Sequence, residues 1–276
     1  MLTSFIHWSP SPEILSFGNF AIRWYGLLFA CSFIFGYIIL QRVFKKEGIP
    51  IKLLDELTTY MIIGTIIGAR LGHVFFYEPA WYLAHPIKIF EVWEGGLASH
   101  GAGIVIPITL IIFAYVKKRP FLWVIDRIVI VVALSGFFIR MGNLMNSEIY
   151  GNVTNLPWGF YFERSLIPEE GKMPRHPTQI YEALSYLLIF FYLIWYYYKK
   201  DGKPAPGFIF GMFLILVFGV RFFIEFLKMP QVGFEKGMAL NMGQLLSVPF
   251  VIAGGVLVWL SLRHSKKTTS PEQKTG

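Results

Sequence analysis

The stretch Arg140-Met-Gly-Asn143-Leu-Met-Asn146-Ser-Glu148-Ile-Tyr-Gly151 offers a guanidinium, two amides and a carboxylate within twelve residues. Arg221-Phe-Phe-Ile-Glu225 sets opposite charges four residues apart, on one face of a helix. His100 stands in a run of small residues, Gly95-Gly-Leu-Ala-Ser-His100-Gly-Ala-Gly103, which lets a backbone or a lipid come close. His176-Pro-Thr-Gln179-Ile-Tyr181-Glu182 opens a later helix, with Gln179 and Glu182 on it. Arg23, Tyr25, Gly26 and Arg70 complete the set. Guanidinium groups suit a phosphate, because their planar fork grips it bidentately and keeps its charge.

The elements that must position these groups are membrane-spanning helices. Of the residues, 55% are hydrophobic and 15% charged, whereas a soluble domain carries about 25% charged residues. A span needs roughly 20 mostly apolar residues. Seven segments qualify: about 18–40, 55–77, 97–116, 121–139, 177–198, 207–226 and 239–262. The fold class is therefore an all-α integral membrane protein, a single bundle over 1–262. The fourth span is expected to be the shortest. A small cap is expected at about 140–176, and a Trp- and Tyr-bearing interfacial segment at about 78–96. The polar stretch 263–276 reads as a disordered cytoplasmic tail. No Lys or Arg precedes the first apolar stretch, so that helix is expected to be retained rather than cleaved as a signal peptide.

Orientation follows from the basic residues. The connections after the first, third, fifth and seventh spans carry 14 Lys and Arg, against 7 on the other side. The richer side is expected to be cytoplasmic, with the N-terminus outside and the C-terminus inside. Arg23, Arg70, His100, Arg140, Arg221 and Glu225 then all fall within roughly 10 Å of the outer boundary, at 1.5 Å rise per residue. Charge at that depth is costly and points to function. Arginines near helix ends can simply snorkel to the interface. Four of them on one side, with a His and a Glu, fit better as a grip on the phosphate of an outer-leaflet phospholipid. Asp126 and Arg127, near the opposite end of the fourth span, read as structural.

Several classes are disfavoured. The net charge of +8 is spread over loops rather than gathered on one polar face, which argues against nucleic-acid binding. The single cysteine, Cys31, forms no intrachain disulfide and no Cys-based zinc site. With no H-E-x-x-H and six scattered histidines, neither a metal nor another cofactor is implied. An anion channel or transporter would carry charge through the whole membrane thickness, and the inner half here offers little beyond Asp126 and Arg127. A membrane protein that binds anionic lipid without chemistry is the remaining rival.

From Arg23-Trp-Tyr25-Gly26 through Arg221…Glu225, these motifs occur in the order found in the prolipoprotein diacylglyceryl transferase family, which the chain resembles. Arg140–Gly151 is the specific part. The family pattern Gly-Arg-x-Gly-Asn-Phe-x-Asn-x-Glu is met here with Ile139 for the first Gly and Leu144 for Phe, both packing positions. Val217 stands where some members carry a tyrosine, so that hydroxyl is missing. The resemblance implies transfer of the diacylglyceryl group of phosphatidylglycerol to the lipobox cysteine of a prolipoprotein signal peptide, at a bacterial cytoplasmic membrane. The nucleophile is then the substrate's thiol. His100, Arg140 and Arg221 are the expected catalytic residues: His100 takes the thiol proton and the two arginines grip the phosphate. Tyr25, Gly26, Arg70, Asn143, Glu148, Gly151 and Glu225 are the expected substrate-binding set, with Glu225 orienting Arg221.

Overall fold

The computed structural model describes residues 5–18, 20–229 and 240–269. Among the described residues, seven helices are long and apolar enough to cross a membrane: α1 (Trp24–Lys46), α2 (Ile51–Phe76), α4 (Ser99–Val116), α5 (Phe121–Met145), α7 (Thr178–Lys199), α8 (Phe208–Ile224) and α9 (Met242–Thr269). Two shorter helices are α3 (Pro79–Ala84) and α6 (Pro168–Gly171). The chain divides into two compact units, Met1–Ile39 with Asp126–Gly276 and Leu40–Ile125. α1 and α5 each run from one unit into the other.

Three boundaries differ from the sequence reading. The first helix begins at Trp24 rather than near 18, because β2 (Glu13–Phe17) and β3 (Phe20–Arg23) pair as an antiparallel hairpin ahead of it. The fourth span is not the shortest: α5 has 25 residues against 18 in α4. Its extra turns pack onto the cap through Met141 and Leu144, so Arg140 lies inside a helix instead of ending one. α9 continues to Thr269, so the stretch from Arg263 to Thr269 is helical rather than disordered. Residues 270–276 lie outside the described residues.

In the unit Leu40–Ile125, α2 and α4 meet through small residues. Gly64, Gly68 and Gly72 repeat every fourth position and form one stripe on α2. A Cβ on Gly68 would come within 2.9 Å of the Ala102 Cα and of the Gly101 carbonyl oxygen. One on Gly72 would come within 2.6 Å of the Gly101 Cα. Backbones this close gain dispersion energy along their whole contact, a mode of association that needs no hydrophobic effect and therefore works in lipid. Tyr60 packs edge-on against Phe113, and Phe44 against Trp123, whose indole N–H donates to Glu47 at 2.9 Å. Gly68→Leu should therefore push the two helices apart, at about 1–3 kcal/mol for overpacking. Gly103→Ala, which meets nothing within 4 Å, should leave thermal unfolding of the detergent-solubilised protein unchanged or raise its midpoint. Equal midpoints for the leucine variant and the parent protein would discount the glycine stripe.

In the other unit, α8 and α9 use the same device. A Cβ on Gly211 would meet the Gly254 carbonyl oxygen at 2.9 Å. Asp126 is structural, as its position suggested. Its carboxylate accepts from the backbone N–H groups of Gly207 and Phe210, at 2.7 and 2.8 Å. It thereby satisfies donors that the start of α8 leaves open. Between α5 and α7 the chain folds into the expected cap. β4 (Phe160–Phe162) pairs in parallel with the N-terminal β1 (Ile6–Trp8). Leu144, Phe160 and Phe162 form its core, with Trp8, Met141, Tyr150 and Ile180 against them. The Trp8 indole N–H donates to the Leu144 carbonyl at 2.9 Å, tying the N-terminal strand to the end of α5.

Candidate active site

Arg140 lies on the last turns of α5 and faces α7. Its Nε is 2.8 Å from Glu182 Oε2, and its Nη1 donates to Asn143 Oδ1 at 3.2 Å. Asn143 Nδ2 and Asn146 Nδ2 both donate to Glu148 Oε1, at 2.8 and 3.2 Å. The sequence motif is thus a physical chain running from guanidinium to amide to carboxylate. Its spacing explains the order: Asn143 is one helical turn beyond Arg140, and Glu148 returns to it across the turn that ends α5.

That turn is strained. Ser147 and Ile149, on either side of Glu148, have φ of 53° and 59°. A β-branched residue there is a genuine outlier and costs on the order of 1–3 kcal/mol. Two side chains at the start of α7 offset this. Gln179 Nε2 donates to the Glu148 carbonyl at 2.7 Å, and Thr178 Oγ1 to the Ile149 carbonyl at 3.0 Å. His176-Pro-Thr-Gln179 is therefore a brace for the Glu148 turn. His176 itself places Nδ1 3.3 Å from the Tyr181 hydroxyl. Burial lowers its pKa below the usual imidazole value, which keeps it neutral near neutral pH.

Glu182 is fully buried and holds two cations, Arg140 through Oε2 and Lys228 through Oε1, the latter at 3.0 Å. The Tyr186 hydroxyl donates to the same Oε1 at 3.4 Å. Lys228 Nζ also lies 3.3 Å from Glu225 Oε2. The α-helix ends at Ile224 and Glu225 opens a tighter turn, which brings Glu225 to Lys228. Gly243, on α9, lies against the Glu225 carboxyl; a Cβ there would meet its Cδ at 2.5 Å. The Nε of Arg221 is buried and has no hydrogen-bond partner among the described residues.

The remaining expected residues are placed as follows. The Tyr25 ring covers Gly142, where a Cβ would meet it at 2.7 Å. Gly26 has open space beside it. At Gly151 the cap backbone touches the tight turn that follows α8, and a Cβ would meet the Leu227 carbonyl oxygen at 2.5 Å. Gly151 therefore admits a backbone approach and carries no polar group of its own. Arg23 is exposed and lies 3.7 Å from Glu13, apart from the buried charges.

The other unit holds Arg70 and His100. The Arg70 guanidinium donates to the carbonyls of Ile89 at 2.9 Å, Gly95 at 2.6 Å and Gly96 at 3.2 Å, and also to that of Lys88. Tyr82 lies 4.9 Å beneath it. Arg70 thus clamps the segment that joins α2 to α4, a use that its sequence position did not reveal. That segment exposes Leu83, Ile87, Phe90 and Trp93. His100 is exposed at the start of α4, with its ring against Phe76 and Tyr77 at 5.2 and 5.6 Å.

Sequence reasoning missed Lys228 and gave Glu182 no firm role. A signal existed for Lys228: it follows Glu225 by three residues at the end of an apolar helix. The same pattern also describes an interfacial lysine, which hid it.

The chain has relatives of known name. A family model described as Prolipoprotein diacylglyceryl transferase matches residues 12–260. A protein of Tolumonas auensis named phosphatidylglycerol–prolipoprotein diacylglyceryl transferase is 49% identical over 265 residues, covering 95% of this chain and 100% of its own. Proteins of the same name from Chloroherpeton thalassium and Porphyromonas gingivalis are 44% and 46% identical, each over 96% of this chain and over 97% and 96% of their own. The matched stretch reaches into all seven spanning helices, and the chain belongs to the prolipoprotein diacylglyceryl transferase family.

Proposed function

We propose that this chain transfers the diacylglyceryl group of phosphatidylglycerol to the thiol of the lipobox cysteine in a prolipoprotein signal peptide. The observation that carries this reading is the charge cluster in which Arg140 and Lys228 meet Glu182 and Lys228 meets Glu225, with Arg140 and Arg221 both near Tyr186, in a transferase of this family. The product is a thioether, so the peptide sulfur attacks the glycerol carbon that bears the phosphate. A C–S bond forms and a C–O bond breaks. The electron pair of that bond leaves with the phosphate, as glycerol phosphate.

Two demands follow. The departing phosphate gains charge and must be stabilised by donors already in place. Arg140 and Arg221 supply them, and the Asn143–Glu148 chain fixes how Arg140 points. The incoming thiol, with a reference pKa of about 8.5, must lose its proton. His100, exposed at the start of α4, is the base that takes it. Arg70 serves by holding the segment between α2 and α4.

The assay is direct. Purified protein is incubated with phosphatidylglycerol vesicles and a lipobox peptide. The peptide should gain the mass of a diacylglyceryl group while an equal amount of glycerol phosphate appears, and a Cys→Ser peptide should gain nothing. Well-folded protein that yields no lipidated peptide would refute the reading.

The reaction side is also a proposal. The 14 to 7 distribution of basic residues puts the N-terminus outside the cytoplasmic membrane and the C-terminus inside, with the chemistry at the outer leaflet. A reporter active only in the cytoplasm should be bright when fused after Lys267 and dark when fused after Lys172. The reverse pattern would invert the topology.

A further inference from the structure

We propose that Lys228 is a positioning residue for the transfer: it neutralises Glu182 and Glu225 from within, so that Arg140 and Arg221 keep N–H donors free for a lipid phosphate. The proposal rests on the phosphate grip described above and deepens it. Lys228 Nζ sits between the two carboxylates, 3.0 Å from Glu182 Oε1 and 3.3 Å from Glu225 Oε2, and its side chain is 3% exposed. A lysine at a helix end would ordinarily reach for water. Here it is turned inward, against a large cost of desolvation that only close opposite charge can offset.

The charge balance gives the reason. Arg140, Arg221 and Lys228 are three cations, and Glu182 and Glu225 are two carboxylates. Arg140 already lies 2.8 Å from Glu182 and is within reach of the Glu225 charge. The charges of Arg140 and Arg221 both act on Tyr186, which places the arginines in one neighbourhood. Without Lys228, two buried carboxylates would face two arginines with no other counter-ion from this set. Each arginine N–H turned to a carboxylate is then lost to the substrate. With Lys228 present, the two carboxylates share a cation of their own, and Arg221 Nε, buried and with no hydrogen-bond partner among the described residues, is the donor still open. The carboxylates cannot swing away to relieve the competition. Glu225 is pinned by Gly243, and Glu182 is fully buried.

The test is steady-state kinetics of the full-length protein in vesicles, with the fraction of phosphatidylglycerol varied against phosphatidylcholine. Lys228→Met should raise the KM for phosphatidylglycerol by about tenfold or more, with a smaller fall in kcat, since a buried charge pair is broken while the reacting groups stay. Lys228→Arg should restore most of the affinity. The discriminating variant is Lys228→Met/Glu225→Gln. Glu225→Gln alone should weaken the parent enzyme, yet in the Lys228→Met background it should lower the KM, because it removes the carboxylate that competes for the arginines. That reversal of sign distinguishes charge balance from loss of packing. If Lys228→Met fails to accumulate in the membrane, the double variant and Lys228→Arg carry the comparison. The proposal is overturned if KM is unchanged in Lys228→Met, or if Glu225→Gln deepens the defect. A KM for phosphatidylglycerol that stays unchanged in both Arg140→Lys and Arg221→Lys would instead overturn the phosphate grip itself.

Discussion

Replacing Arg140 or Arg221 by lysine is expected to remove most of the transfer activity while leaving the protein in the membrane. Arg140 already spends Nε on Glu182 and Nη1 on Asn143. Its fork can hold this frame and still present a further N–H to a phosphate. A lysine ammonium has one centre of charge and cannot keep the Glu182 contact, the Asn143 contact and a bidentate grip together. Arg221 is set by its helix with a buried Nε that has no hydrogen-bond partner among the described residues, and lysine offers no donor at that point. Losing a charge-assisted contact costs roughly 1.5–3 kcal/mol, or about 10- to 150-fold in kcat/KM. Arg164→Lys is the control: Arg164 is exposed in the cap and donates its Nε to the Ser9 carbonyl. It should retain near-full activity. Membrane protein levels are measured alongside, because misfolding would imitate the loss. If both lysine variants are abundant and active, these arginines are anchors and do not grip phosphate.

His100→Gln should have the larger effect, about 10²- to 10⁴-fold on turnover, the usual contribution of a positioned general base. Lipid binding should change little, because glutamine is similar in reach and stays polar. The decisive measurement is the pH profile. Raising the pH towards the thiol's own pKa, about 8.5, ionises the peptide cysteine without help. The glutamine variant should therefore recover relative to the parent as pH rises. A flat ratio across pH would mean that His100 orients a neighbour rather than taking the proton. Phe76 and Tyr77, whose rings lie against it, are then the groups to examine.

The cap and the charge cluster differ in how readable they were. The Arg140–Glu148 chain could be anticipated because its members are close in sequence, on and just beyond one helix, where geometry is local. The φ of 59° at Ile149 could not: isoleucine is a poor residue for that conformation, and only the Thr178 and Gln179 donors, about thirty positions later, make it tenable. β1 was not foreseen either. Three residues near the N-terminus gain strand geometry from Phe160–Phe162, more than 150 positions away.

The seven spans were determined by the sequence alone, because a helix in lipid satisfies its backbone internally. Its existence then depends on length and hydropathy and not on a partner. The buried arginines were legible for the same reason: charge among apolar residues is costly wherever the helix sits. Partner choice was decided by the tertiary structure. By spacing, Arg70 looked like a phosphate ligand, but its donors go to backbone carbonyls 18 to 26 positions away. Glu225 looked like the mate of Arg221, but a tightened turn gives it to Lys228. Lys228, which the sequence analysis did not single out, is buried between two carboxylates. A side chain's type limits what it can bond. Which of the possible partners it meets depends on how backbones far apart in the chain approach, and in this protein that approach is set by packing between helices.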